Sequence, residues 1–256
     1  FTHFPTKEYS YLPFLIHATF DLDPSRNYLN TSIENEDLLA IIADALGEIA
    51  ENKIRKEKSD WDAYQFLLPE RISNDKQLAV FHNRIIELRN ELEIYPCVDG
   101  TYCKLEDAIF YGNEFSDWVI RNNVQEHFSN LLIPNNLDVE IYVGKEYTFE
   151  GWLEIFNNVT HQITNLQERA LLIKLLMGNS FKVIHSSKVK LPVLIDTKNS
   201  IIPQTSQAFI LSKADIEQYI IPSYVDISFM SGELYEELLS VLEEEVSNKW
   251  NGQEHK

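Results

Sequence analysis

One arginine of this chain stands where its type and setting could do chemistry. In "FDLDPSRNYLN", residues 20–30, Arg26 follows Asp23-Pro24-Ser25 on what reads as a turn. A guanidinium keeps its charge in a protein and presents a fork of N–H donors matched to carboxylate and phosphate oxygens. An arginine delivered from outside a nucleotide site stabilises charge on a transferring phosphoryl group. Local text alone favours a plainer use, a salt bridge with Asp21, Asp23 or Glu34.

Other reactive side chains are sparse. The histidines (His3, His17, His82, His127, His161, His185 and His255) never cluster at ligand spacing, which argues against a metal site. His17, on the polar side of a strand-like stretch, is the most notable, and such a residue is ordinarily solvated or hydrogen-bonded. Cys97 and Cys103, in "YPCVDGTYCKL", fit neither a zinc spacing nor a disulfide framework and read as ordinary strand thiols. No Walker A loop, dinucleotide glycine fingerprint, HExxH helix or Gly-x-Ser-x-Gly elbow occurs. With 8 glycines in 256 residues there are few places for a phosphate-cradling loop.

The elements that must position Arg26 follow from periodicity. From Phe14 to Asp23 the residues alternate, with Phe14, Ile16, Ala18, Phe20 and Leu22 on one side and His17, Thr19, Asp21 and Asp23 on the other. That is the pattern of a strand with one buried face, and Pro24 ends it. In "NTSIENED" the spacing of Thr31 and Glu34 is that of a capping box. A helix then follows, with Leu38, Ile42, Ala45, Leu46 and Ile49 on its sticky face, running to about Ile54. Trp61 to Arg71 reads as a connector with local packing. A second amphipathic helix is expected over about 75–93, with Leu78, Phe81, Ile85, Leu88 and Leu92 on one face. A third is expected over about 167–177, closed by Gly178. "ELYEELLSVLEEE" is the wet face of a terminal helix.

A weak internal repeat pairs "EIYPCVDGTYCKLEDAIFY" with "KLPVLIDTKNSIIPQTSQAFIL", aligning Pro96 with Pro192 and Asp99 with Asp196. Downstream, "LLIPNNLDVEIY" aligns with "YIIPSYVDISFM" in the same order.

Composition sets the class. At 44% hydrophobic and 12% aromatic, the chain is of the folded kind. With 22 Lys plus Arg against 40 Asp plus Glu, its formal net charge of −18 argues against direct nucleic-acid binding. Apolar runs such as "LPFLI" and "ALLIKLLM" are too short to cross a bilayer, so the expectation is no membrane and a cytoplasmic setting.

The stretch "FPTKEYSYLPFLIHATFDLDPSRNYLN" resembles the segment that follows the ATP-binding domain in GHKL-type ATPases, in particular sacsin and related bacterial proteins. There an F-P-T-K strand precedes L-P-F-x-I-H-A-x-F-x-L and then a Ser-Arg or Asn-Arg pair. The ninety-kilodalton heat-shock chaperones carry a similar Ser-Arg-x-x-Leu in the middle domain, matched here by Ser25, Arg26 and Leu29. The resemblance implies that Arg26 reaches the terminal phosphate of ATP in the preceding domain, with Ser25 beside it and Lys7 as a second phosphate-side contact. It further implies an α/β (α+β) fold. A sheet-plus-helix transducer module over 1–60 would be followed by repeat-like α/β modules over 61–160 and 161–256, which relay the signal or hold a protein client. The family's ATP-binding domain, with its ATP and Mg, has no counterpart in these residues. The implied role is therefore that of a fragment without activity of its own, whose partner is an upstream ATP-binding domain of the same or a neighbouring chain. Two other readings fit the residues: an interaction scaffold in which Arg26 is structural, and a transducer segment of a GHKL ATPase in nucleic-acid defence or repair.

Overall fold

A computed structural model describes residues 6–54, 60–73, 75–137, 141, 143, 145–178, 191–196, 198–202, 208–209, 228–229 and 231–253, with the backbone alone for 208–209, 228–229 and 243–253. The fold is helix-rich α+β. Its elements are α1 (Ile33–Ile54), α2 (Asp62–Gln65), α3 (Lys76–Glu91), β1 (Tyr95–Pro96), β2 (Tyr102–Cys103), α4 (Asn113–Arg121), a 3-10 turn (Gln125–His127), α5 (Phe149–Val159), α6 (Leu166–Leu176), β3 (Ala208–Phe209), β4 (Ser228–Phe229) and α7 (Gly232–Gln253). Contacts divide the chain into two compact units, one formed by 1–108 with 130–145 and the other by 109–129 with 146–256.

In the first unit α1 packs along α3. α3 forms where its apolar spacing predicts: Leu78, Phe81, Ile85 and Leu88 are buried. The Asp75 carboxylate caps its N-terminus by accepting the backbone N–H groups of Gln77 and Leu78. Gly47 is the point of close approach. A Cβ there would stand 3.3 Å from a methyl of Leu88 and 3.4 Å from one of Leu92. The buried stripe of α1 is Asn35, Leu39, Ala43, Leu46, Gly47 and Ala50, while Ala45 and Ile49, expected on that stripe, are exposed. The helix is apolar on more than one side, so spacing alone could not say which stripe meets α3. Its cap differs from expectation by one residue: the Ser32 hydroxyl, not Thr31, accepts the N–H of Asn35.

The stretch 14–22 keeps its alternation as burial. Phe14, Ile16, Ala18, Phe20 and Leu22 are half-buried, while Leu15, His17, Thr19 and Asp21 are exposed. It forms no ladder, however, and its one bridge is the antiparallel pair Leu22↔Leu29. A period of two reports a chain with one covered face, and covering a face does not require a neighbouring strand. β1 and β2 form a hairpin in register Pro96↔Tyr102. A third stretch joins it through Cys97↔Leu132, with Val98 donating to the Leu131 carbonyl and Ile133 to that of Pro96. Trp61, in the connector, is buried and donates its indole N–H to Pro134 at 2.9 Å.

The second unit is built on aromatic rings. Phe115, Trp118, Phe128, Trp152 and Phe156 are buried, with Trp152 stacked on Phe156 at 5.2 Å and edge-on to Phe115 at 5.9 Å. α4 joins α6 through a two-pronged bond from Arg121 to Glu168, at 2.9 and 3.0 Å, and through the Trp118 indole N–H to the Glu168 carbonyl at 2.9 Å. α6 is capped by Asn165 and packs against α7.

The two turns paired by the sequence repeat share one geometry. In the first, Cys97 N–H bonds the Thr101 carbonyl and Gly100 N–H bonds that of Cys97. In the second, Asp196 N–H bonds Ser200 and Asn199 N–H bonds Asp196. Gly100 and Asn199 occupy the same turn position with φ of 86° and 61°, and Ile195↔Ile201 matches Pro96↔Tyr102 in register. The match places Asp196 over Cys97, two positions away from the alignment by aspartates. Both acidic side chains bond turn amides, but from different corners. The downstream pair lies largely outside the described residues: Asp138, Val139, Ile221, Pro222, Val225, Asp226 and Ile227 all fall there.

Cys97 and Cys103 are both buried thiols. A hydrogen bond with the Cys103 sulfur, together with burial, pushes the Cys97 thiol up. Labelling of the native protein by a disulfide reagent should therefore run at least about a hundredfold slower than labelling of the urea-unfolded chain. Rapid labelling of both thiols under native conditions would contradict this placement.

Candidate functional site

The stretch holding Arg26 is a tight loop closed on itself. Asp23 N–H bonds the Tyr28 carbonyl at 3.0 Å and Asn30 N–H bonds the Asp21 carbonyl at 3.0 Å, so residues 21–23 and 28–30 form a short antiparallel neck around the Leu22↔Leu29 bridge. Asp23 organises the interior of the loop. One carboxylate oxygen accepts the backbone N–H groups of Asn27 and Tyr28, at 2.9 and 3.2 Å, and the other accepts the Ser25 hydroxyl at 2.5 Å. The Asn27 carboxamide in turn donates to the Ser25 oxygen at 2.9 Å. Arg26 N–H bonds the Asp23 carbonyl at 2.8 Å, which makes 23–26 a β-turn.

Arg26 has a φ of 58° in this turn. That left-handed region is uncommon for an arginine and costs on the order of 1 kcal/mol unless the surroundings hold it. Here the surroundings are the Asp23 hydrogen bonds on both sides of it. The side chain is exposed at the tip. Neither aspartate takes it up, because Asp23 is bonded to Ser25, Asn27 and Tyr28, and Asp21 accepts the Asn30 carboxamide at 3.1 Å. Among the described residues it forms no ion pair with Glu34 either. The salt bridge that local text favours is thus not formed.

The loop is mounted on α1 by Asn35, whose side chain is almost wholly buried at 1% exposure. Its carboxamide oxygen accepts Asp21 N–H at 2.9 Å, and its NH2 donates to the carbonyls of Asp21 at 2.7 Å and Asn30 at 2.8 Å. A buried carboxamide with three satisfied bonds clamps both strands of the neck at once. Sequence reasoning did not single out Asn35. The available signal was a polar residue four places before Leu39, inside what turns out to be the buried stripe.

Lys7 reaches the same place along the backbone. Its N–H bonds the Asn27 carbonyl at 2.7 Å, which joins the Lys7 backbone to the loop that carries Ser25 and Arg26, with Lys7 and Arg26 both exposed. Ser25 has its hydroxyl committed within the loop and acts as a builder of it. The approach of Lys7 is fixed farther along. Buried His82 of α3 bonds the Ser10 carbonyl through Nε2 at 2.8 Å and accepts Ser73 N–H at Nδ1 at 2.9 Å. Tyr11, with φ of 56°, lies under the Arg71 guanidinium at 4.1 Å. His17 is exposed on its segment. Among the described residues no group of three or more His, Cys, Asp or Glu could hold a metal ion, and no helix is long and apolar enough to cross a membrane.

The arrangement offers a mounted cation whose guanidinium pairs with no carboxylate among the described residues and can meet an anion presented by something else. Two outcomes follow. Replacing Asn35 by Ala strands the Asp21 N–H and two carbonyls, and should cost about 2 kcal/mol in urea unfolding and erase amide-exchange protection at Asp21 and Asn30. The hydrogen bond from Ser25, with those from the Tyr28, Asn27 and Ser25 amides, holds the Asp23 carboxyl below its ordinary value despite slight desolvation. The loop bonds of Asp23 should hold fully above the ordinary aspartate range and fade only as pH falls through the lowered folded value. The amide shifts of Asn27 and Tyr28 should titrate with that low midpoint, and Ser25→Ala should raise it. Against known protein families, curated proteins and solved structures, the chain shows no match.

Proposed function

We propose that this chain is the segment following the ATP-binding domain of a GHKL-type, sacsin-like or heat-shock-chaperone-like ATPase, and that Arg26 senses ATP bound there. The observation that carries the reading is the presentation of Arg26: exposed, bound by neither adjacent aspartate, and held at a positive φ by a loop bonded to a buried asparagine. A structural arginine in so acidic a chain would be expected to find a carboxylate, and two stand within five residues of it. Lys7 adds a second cation, joined to the loop through its backbone N–H.

The mechanism is one of differential contact. An ATP-bound domain offers the charge of a terminal phosphate to the guanidinium fork, an ADP-bound one offers less, and the interface shifts accordingly. ATP and Mg belong to that other domain, in the same or a neighbouring chain, and the segment by itself turns over no nucleotide. Ile33, Ile41 and Ile49 on α1, with Leu15, are exposed apolar residues of the same unit and suit an interface with such a partner. The later part of the chain then holds repeat-like α/β modules that relay the change or bind a protein client, a reading supported by the common geometry of the turns at Cys97–Thr101 and Asp196–Ser200. The net charge of −18 favours a cytoplasmic protein-handling role over contact with nucleic acid.

The test uses the whole protein that contains the segment. Arg26→Ala should lower ATP turnover by about two orders of magnitude with ATP affinity nearly unchanged, the pattern of a group that meets the nucleotide only in the reacting state. Arg26→Lys, which keeps the charge without the fork, should restore only part of it. Unchanged turnover in Arg26→Ala would discard the sensor and leave an interaction scaffold.

A further inference from the structure

The second unit contains a cation whose situation is the reverse of that of Arg26. Arg169, on α6, is 5% exposed, yet among the described residues no carboxylate answers its charge. It donates to three backbone carbonyls: Thr160 and Ile163 at 2.6 Å and Val193 at 3.1 Å. Burial pulls its titration below the usual guanidinium range. Three hydrogen bonds leave two of the five N–H donors of a guanidinium uncommitted. A buried charge met only by carbonyl dipoles is an expensive arrangement when nothing else shares the charge.

Arg169 lines a cavity of about 390 Å³, enough for a small molecule. Ile163, Leu166, Ile195 and Ile201 provide apolar walls, Thr160, His161, Thr164 and Asn199 provide polar edges, and no Asp or Glu lines it among the described residues. Asn199 is held there by the left-handed turn described above. A single buried cation, four aliphatic side chains and no acid among the described lining residues together favour an anion of one charge with an apolar body. A doubly charged, strongly hydrated phosphate finds one buried cation beside those aliphatic walls, and a chain of net charge −18 repels it more strongly on approach.

We propose that this cavity is a binding site for a small aliphatic carboxylate, with the Arg169 guanidinium as its counter-charge. The carboxylate accepts from one uncommitted N–H of the guanidinium, and its alkyl group lies against Ile163, Ile195 and Ile201. The site stands apart from the Arg26 reading and survives or fails without it.

Titration with sodium isovalerate, followed by 1H–15N spectra that include the Arg169 Nε–Hε signal, tests the assignment. Saturable shifts of Arg169, Thr164 and Asn199 are expected, with a Kd on the order of 1 mM, and none with the neutral 3-methylbutanol at equal concentration. Thr164 is exposed at the cavity edge, so Thr164→Trp should leave the spectrum otherwise folded while weakening isovalerate at least about tenfold. Arg169→Met should abolish binding, and if that variant unfolds for lack of its three carbonyl bonds, Thr164→Trp decides alone. Absence of saturation, equal binding of the alcohol, tighter binding of inorganic phosphate, or undiminished binding in Thr164→Trp would each overturn the proposal.

Discussion

A carboxamide buried in a protein has to be satisfied, and the first unit is arranged around satisfying that of Asn35. Its oxygen and both its N–H groups are spent on the neck of the Asp21–Asn30 loop. Because Asn35 sits in the first turn of α1, the loop inherits the position of that helix, and α1 is in turn seated on α3 through the bare backbone at Gly47. His82 of α3 then catches the Ser10 carbonyl, which leads the chain back to where Lys7 meets Asn27. Removing the bonds of Asn35 or of His82 leaves a buried polar group without a partner, so the geometry around Arg26 is over-determined, and a left-handed arginine can persist there.

Two arginines show opposite ways of leaving a positive charge without a carboxylate. At Arg26 the chain spends its nearby acids on backbone amides, and water is left to solvate the guanidinium. At Arg169 the charge is drawn inside and met by carbonyls at and just beyond the C-terminal end of α5, where the helix dipole is negative. In a chain with 40 acidic residues, neither outcome follows from a shortage of partners. Arg121, by contrast, takes the ordinary course and grips Glu168 with both prongs; burial of that acid works against its ionisation, but the Arg121 and Asn122 bonds outweigh it.

How much was legible beforehand depended on whether a signal was local. α3 and α6 could be read within a residue or two, because apolar spacing and a terminal Asp or Gly are properties of consecutive residues. The half-burial of 14–22 was legible too, although the ladder inferred from it was not there, since alternation records a covered face and says nothing of what covers it. On α1, several apolar spacings competed, and the one containing polar Asn35 became the buried one. The shared turn of the two repeats was visible in outline, but its alignment slipped by two, because hydrogen bonds define a turn and its aspartates sit at different corners. Arg169 left no sequence signal, because an arginine on a helix is ordinary until the loops above it close.

Sequence by itself determined the helices, the turn at Pro24 and the presence of an arginine after it, all of which rest on backbone preferences acting over a few residues. Tertiary structure decided that Arg26 would be left bare. Whether Asp21 and Asp23 bind the guanidinium or the loop amides depends on a neck closed by Asn35 from another element, and on Lys7 arriving from the other side. Both choices satisfy the same local chemistry. The burial of Asn35, a contact made across fourteen residues, tips the balance toward the amides.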